Sequence, residues 1–220
     1  FTTFAIDAKA DFRPDKFEAI NNSTIEVTIE KHTFRLPLVG RHQVYNLVAA
    51  YALFRTLSFS FENVDTSRIP LCTAPWRGQI VRIGNVTFLA DCYNANPDSV
   101  KAGLKAYFDT PGGKRRVVIL GDMLELGESS EDYHREVGRL LARQVFDLAV
   151  FVGDLSKHAM KEAVICGVAG DKVRHYNNAH ECSRAMKQYL TDGDFVYVKG
   201  SRGVGLETVL DAFEQKEEGN

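Results

Sequence analysis

Between residues 115 and 215, short apolar runs alternate with longer amphipathic ones, and this alternation narrows the possible folds more than any other feature of the chain. Arg116–Leu120, Leu148–Val152, Val173–Tyr176 and Phe195–Val198 have the length and apolar content of buried strands. The stretches near 130–146, 155–166, 179–190 and 205–215 read as helices, the last with a stripe of Leu206, Val209, Leu210 and Phe213. Ser129 with Asp132, and Asn178 with Glu181, have the spacing of capping boxes. Strand–helix alternation of this length predicts an α/β fold, with a mainly parallel sheet, right-handed crossovers and helices on both faces. Ligands of such sheets gather at the carboxyl ends of the strands.

The earlier part of the chain has a different texture. Segments around Thr3–Ala8, Thr24–Glu30 and Thr33–Leu38 alternate apolar and polar residues as strands do, with a turn at Asn21-Asn22-Ser23. A helix from about His42 to Leu57 follows, with Val44, Leu47, Val48, Tyr51 and Phe54 on one stripe and His42 and Asn46 one turn apart on the other face. Residues 58–76 are irregular and contain Pro70 and Pro75, which sets a domain boundary near 74. A hairpin is expected next, Gly78–Ile83 and Val86–Ala90 joined by Gly84-Asn85.

The 220 residues suffice for one large domain or two modest ones. Lys+Arg 27 against Asp+Glu 29, without long like-charge blocks, argues against an extended nucleic-acid surface. No apolar run reaches membrane-spanning length and no signal peptide is visible. Cys72, Cys92, Cys166 and Cys182 lack metal-site or disulfide-scaffold spacing and read as reduced thiols of a cytoplasmic protein. The chain starts at Phe1 rather than Met, which suggests a fragment.

Residues 89–100 hold the densest chemistry. An apolar strand ends at Ala90, and Asp91, Tyr93, Asn94 and Asn96 follow at once. Asn96 is the natural N-cap and Pro97 the first helical residue, ahead of Val100, Leu104, Tyr107 and Phe108. The stretch is either an anion site at a helix N-terminus or an ordinary Asn-rich turn. Lys199-Gly200-Ser201-Arg202-Gly203 combines glycines, which admit close backbone approach, with two cations. Asp122 and Glu125 sit in the loop before Gly127, with His134 just beyond, as acid–base or metal groups or as a solvated loop beside a packed histidine. Arg77 follows Trp76 near the domain boundary. No G-x-G-x-x-G, G-x-S-x-G, P-loop or clustered Cys/His set occurs, and no metal site is assigned.

Four segments, in this order, resemble the Mur ligase family: Val-Gly-Arg-His-Gln-Val-Tyr-Asn-Leu-Val-Ala-Ala (39–50), Ala-Asp-Cys-Tyr-Asn-Ala-Asn-Pro-Asp-Ser (90–99), Val-Ile-Leu-Gly-Asp-Met-Leu-Glu-Leu-Gly (118–127) with Ser130 and His134, and Val-Lys-Gly-Ser-Arg (198–202). The resemblance covers roughly residues 36–215. The second and third segments point to the branch that adds D-alanyl-D-alanine, and the Asp-Asn-Pro-Arg motif of another branch is missing. Two positions depart from the family pattern: Gln43 stands where Asn is usual, and Cys92 where Ser is common.

The resemblance implies that residues 1–74 are the last third or so of a central ATPase domain and 75–220 a complete carboxy-terminal Rossmann-like domain. The P-loop, the Mg²⁺ ligands and a UDP-sugar domain would lie before Phe1. It implies a cytoplasmic, monomeric ligase using ATP and Mg²⁺ to join UDP-N-acetylmuramoyl-tripeptide and D-alanyl-D-alanine through an acyl phosphate, with no nucleic-acid partner. The nucleotide would be held between the two domains. Asn46 would face the adenine, Arg77 the phosphates and Asp91 the ribose, with Tyr93, Asn94 and Asn96 beside them. Lys199, Ser201, Arg202 and His134 would serve the chemistry, and Asp122 and Glu125 the substrate. Alone, the chain would be inactive. A folylpolyglutamate-synthetase-like ligase and a non-catalytic binding module are the alternatives.

Overall fold

The structure is a computed structural model that describes residues 1–21, 23–71 and 74–217. It divides into two compact units, Phe1–Thr73 and Ala74–Asn220. Cys72, and Asn22 of the expected turn, fall outside the described residues.

The first unit is an antiparallel sheet of β1 (Lys16–Asn21), β2 (Thr24–Ile29) and β3 (His32–Leu36), covered by α1 (Arg41–Thr56). Ile25, Val27 and Ile29 alternate onto one face and pack with Phe34, Leu36 and the helix residues Val44, Val48 and Tyr51. Thr3–Ala8 is not a strand. The Asp11 carboxylate accepts from the backbone and hydroxyl of Thr3 at 2.8 and 2.7 Å, which curls the segment into a loop with a single bridge, Phe4 to Phe12. Its apolar residues Phe4 and Ile6 still reach the core. The third strand is Lys16–Asn21 instead, an almost wholly exposed edge without the alternation that marks a buried face.

The second unit is a six-stranded sheet in the order β4-β5-β9-β6-β7-β8. β4 (Gln79–Ile83) and β5 (Val86–Asp91) form the expected hairpin, while β5, β9 (Asp194–Lys199), β6 (Arg115–Gly121), β7 (Leu148–Val152) and β8 (Val173–Tyr176) run parallel. On one face, Phe88, Ala90, Val117, Ile119, Val150, Val196 and Val198 pack with residues of α5 (Ala179–Tyr189) and α6 (Glu207–Glu217). Residues between them, such as Leu120 and Lys199, point to the opposite face and α2 (Pro97–Asp109), α3 (Ser130–Leu141) and α4 (Ser156–Ile165). No described helix is long and apolar enough to cross a membrane.

The helix starts bear out some expectations and correct others. Asn96 caps α2 in a full capping box, accepting from the Ser99 amide at 2.8 Å while Ser99 Oγ accepts from the Asn96 amide at 3.0 Å. Asn178 caps α5 through the Glu181 amide at 2.9 Å, although the Glu181 carboxylate returns to the Asn177 backbone amide and the Asn178 side chain rather than to the Asn178 backbone amide. Ser129 caps nothing: a 3₁₀ turn over Gly127–Ser129 runs directly into α3, so its backbone never takes the extended form a cap needs. α3 also stops at Leu141, short of 146. Tight turns at Arg143 and Gln144 redirect the chain so that Phe146 is buried and Val145 is exposed.

α3 and α4 meet at Gly138, where an added Cβ would lie inside the contact distance of the Ala159 carbonyl oxygen. Glycine to alanine within a helix ordinarily stabilises by about 1 kcal/mol. Here the overlap with rigid backbone reverses the sign. Gly138→Ala is expected to lose about 1–3 kcal/mol of stability, read as a lower urea midpoint at unchanged slope.

Candidate functional site

The parallel register brings three strand ends together. Asp91, the last residue of β5, is level with Lys199, the last of β9, and Lys199 is level with Leu120 of β6. Lys199 is only 2% exposed, and its ammonium donates to Asp91 Oδ2 at 2.7 Å and to the Asn94 carbonyl at 3.1 Å. Tyr197, two residues earlier on the same face, donates its hydroxyl to the same carboxylate oxygen at 3.3 Å. Burial and the Asp91 charge hold that phenol far above its ordinary range, so it stays a donor. α2 crosses closely enough that a Cβ on Gly103 would overlap the Tyr197 hydroxyl. Tyr197 and Gly103 were not singled out from the sequence; the i, i+2 spacing of Tyr197 and Lys199 on one strand was the available signal.

Next to this pair, the loop after β6 is tied down by four side chains or backbone groups from elsewhere. Ser201 donates its amide to the Asp122 carbonyl at 2.9 Å, and its hydroxyl accepts from the Leu124 amide at 2.9 Å. Asp122 Oδ1 accepts from the Ser156 amide at 2.7 Å at the start of α4. His134 Nε2 accepts from the Met123 amide at 3.0 Å, and its Nδ1 donates to the Ser130 carbonyl at 2.6 Å. Burial lowers the His134 pKa from its ordinary value of 6.5, and both ring nitrogens are engaged. Direct contact with reactants was expected of Lys199, Ser201, His134 and Asp122. All four are buried: Lys199, Ser201 and His134 have their side-chain polar atoms bonded to neighbouring segments, and Asp122 has Oδ1 bonded to the start of α4.

The outward-facing groups are others. Tyr93, Arg77 and Arg202 are exposed, and both guanidinium carbons lie over the Tyr93 ring, at 4.9 and 5.7 Å from its centroid. Glu125 is exposed with φ 64, a left-handed backbone uncommon outside glycine and asparagine. Asn94 and Asn96 spend their side-chain oxygens on the Ala95 and Ser99 amides, leaving only their amide nitrogens uncommitted. Cys92 is buried and its thiol is pushed up to about 12, chiefly by burial, so it is no nucleophile. Asn46 lies on α1 of the first unit, exposed, and donates to Gln43 Oε1 at 3.3 Å. Among the described residues, no group of three or more His, Cys, Asp or Glu side chains is placed to hold a metal ion.

The profile of the family described as Mur ligase, glutamate ligase domain, matches residues 76–202, from the neighbour of Arg77 to Arg202 itself. The chain belongs to the Mur ligase family. Among curated Mur ligases it is 29% identical to the UDP-N-acetylmuramoyl-tripeptide–D-alanyl-D-alanine ligase of Bacillus subtilis, over 82% of this chain and 39% of that protein. A crystal structure of MurF from Acinetobacter baumannii superimposes with a TM-score of 0.79 and 25% identity, covering 97% of this chain and 46% of that one. MurF from Thermotoga maritima, solved with ADP, shares the fold at a TM-score of 0.75 and 23% identity, covering 98% of this chain and 48% of that one. The chain thus spans less than half the length of these Mur ligases.

Two outcomes check the inner layer. Asp91→Ala leaves the buried Lys199 ammonium without its counter-charge and is expected to cost about 3 kcal/mol in denaturant unfolding. For His134 the folded pKa lies below the unfolded one, so the unfolded chain binds the proton more readily. Its contribution is complete above about pH 6.5 and is lost as pH falls through the folded value. His134→Leu, although less stable throughout, should therefore decline less steeply between about pH 7.5 and 5.5 than the parent.

Proposed function

We propose that this chain is part of an ATP-dependent ligase that joins D-alanyl-D-alanine to a UDP-N-acetylmuramoyl-tripeptide in the cytoplasm. The observation that carries the reading is the convergence of Asp91, Arg77, Tyr93 and Arg202 on one carboxyl edge of the sheet, in a chain of this family. Residues 1–74 are read as part of the central ATPase domain and residues 75–220 as the carboxy-terminal one.

ATP supplies the phosphoryl group that makes the acceptor carboxylate reactive toward an amine. The residues fit such a ligand. Asp91 Oδ2 is engaged by Lys199 and Tyr197, which turns the carboxylate so that Oδ1 is left to accept from ribose hydroxyls. Arg77 offers a planar fork to phosphate oxygens, and Arg202 a second one for the phosphate or for the dipeptide carboxylate. Glu125 is held outward, where it accepts from the amine end of the dipeptide. On the first unit, Asn46 is read as an adenine-binding side chain. Lys199, Ser201, Asp122 and His134 act by keeping these groups in place, since preorganised donors lose no energy reorienting during reaction. Mg²⁺ belongs to the same reading, with ligands mainly beyond this chain, and no step here is assigned to it.

The test is amine-dependent ADP release by the full-length protein carrying this chain, supplied with UDP-N-acetylmuramoyl-tripeptide and D-alanyl-D-alanine. Turnover is expected, and Arg77→Ala should reduce it by about 10²–10³-fold. The 220-residue chain alone is expected to release no ADP. Turnover with a folate acceptor and glutamate, and none with the tripeptide, would overturn the reading.

A further inference from the structure

Arg77, Tyr93 and Arg202 come from three separate segments: the turn before β4, the loop after β5 and the loop after β9. They meet on one ring, with both guanidinium carbons within 5.7 Å of its centroid. The ring is itself anchored, because the Tyr93 amide donates to the Trp76 carbonyl at 3.1 Å, one residue from Arg77. Arg202 has a carboxylate nearby, Glu207 at 3.9 Å. Arg77 has none within ion-pair distance among the described residues.

An aromatic face attracts a guanidinium through its quadrupole and orients the planar fork as it does so. Two guanidiniums on one ring also repel each other. An anion placed between them removes that repulsion and gains two charge-assisted contacts.

We propose that Tyr93 is a positioning residue whose ring sets Arg77 and Arg202 as a paired grip on a single phosphate-bearing group. The inference rests on reading this edge as the phosphate side of a ligase site. The ring, not the hydroxyl, does the holding.

The experiment has two arms, so that failure of the pairing and failure of the ligase reading look different. In the first, arginine side-chain Nε–H resonances are recorded on the whole chain. Tyr93→Leu should shift both the Arg77 and the Arg202 signals downfield as the ring current is lost, with other amides unchanged, and Tyr93→Phe should restore both. A Leu variant that leaves either signal in place overturns the proposal. In the second, turnover of the full-length protein is followed in a double-mutant cycle. With Tyr93 present, Arg77→Ala and Arg202→Ala together should cost roughly tenfold less than the product of the single losses. In the Tyr93→Leu background the two losses should simply multiply. Multiplication already in the parent overturns the proposal, whereas a parent without turnover overturns the ligase reading and leaves the resonance arm to decide the pairing.

Discussion

The edge of the second unit depends on one buried ion pair. Moving the Lys199 ammonium out of water is costly, and the cost is offset only because a carboxylate and a carbonyl meet it at 2.7 and 3.1 Å. Those partners exist because β5 and β9 are parallel neighbours in a register that puts Asp91 level with Lys199. A slip of one residue would turn Lys199 to the opposite face, toward Ala90, Ile119 and the apolar side of α6. The pair therefore does more than add stability. It selects the register, and the register decides where every outward-facing group at this edge is aimed.

Around the pair the site has two layers with different physics. The inner one, Lys199, Ser201, Asp122 and His134, is buried, and its polar atoms bind backbone of three different segments. In low dielectric such a network is strong when complete and destabilising when any member is missing. The outer layer, Arg77, Tyr93, Arg202 and Glu125, is exposed, and its charges face solvent. Glu125 carries a left-handed backbone that costs about 1–3 kcal/mol for a residue of this kind, and the tied loop beneath it supplies the restraint.

Much of this was legible in the residues, and the failures have identifiable causes. Asn96-Pro97 announced a helix start because cap and first-turn chemistry are local, and the structure has a full capping box there. The stripe on α1 and the four later strands were legible because periodicity survives in any context. Thr3–Ala8 has the same alternation, yet a side chain eight residues away, Asp11, competes for its backbone and wins. Ser129 has a cap's spacing, but the backbone before it is already helical. The sequence singles out candidate site residues by type, but not which of them are buried and which face solvent. A lysine, a serine, an aspartate and a histidine look reactive in a string of letters. Burial and hydrogen bonds to distant segments set them apart from the exposed Arg77 and Arg202, and neither property is local.

By itself the sequence determined the class of fold, the family and the strand ends at which chemistry gathers, because hydrophobic period, caps and short motifs are properties of neighbouring residues. Tertiary structure alone decided that Lys199 faces Asp91, that Ser201 and His134 hold one loop, and that Arg77 and Arg202 share the Tyr93 ring. These partners are separated by up to 125 positions along the chain, as Arg77 and Arg202 are. Only the packing of parallel strands and the depth of burial bring them together, and neither is written in any local stretch.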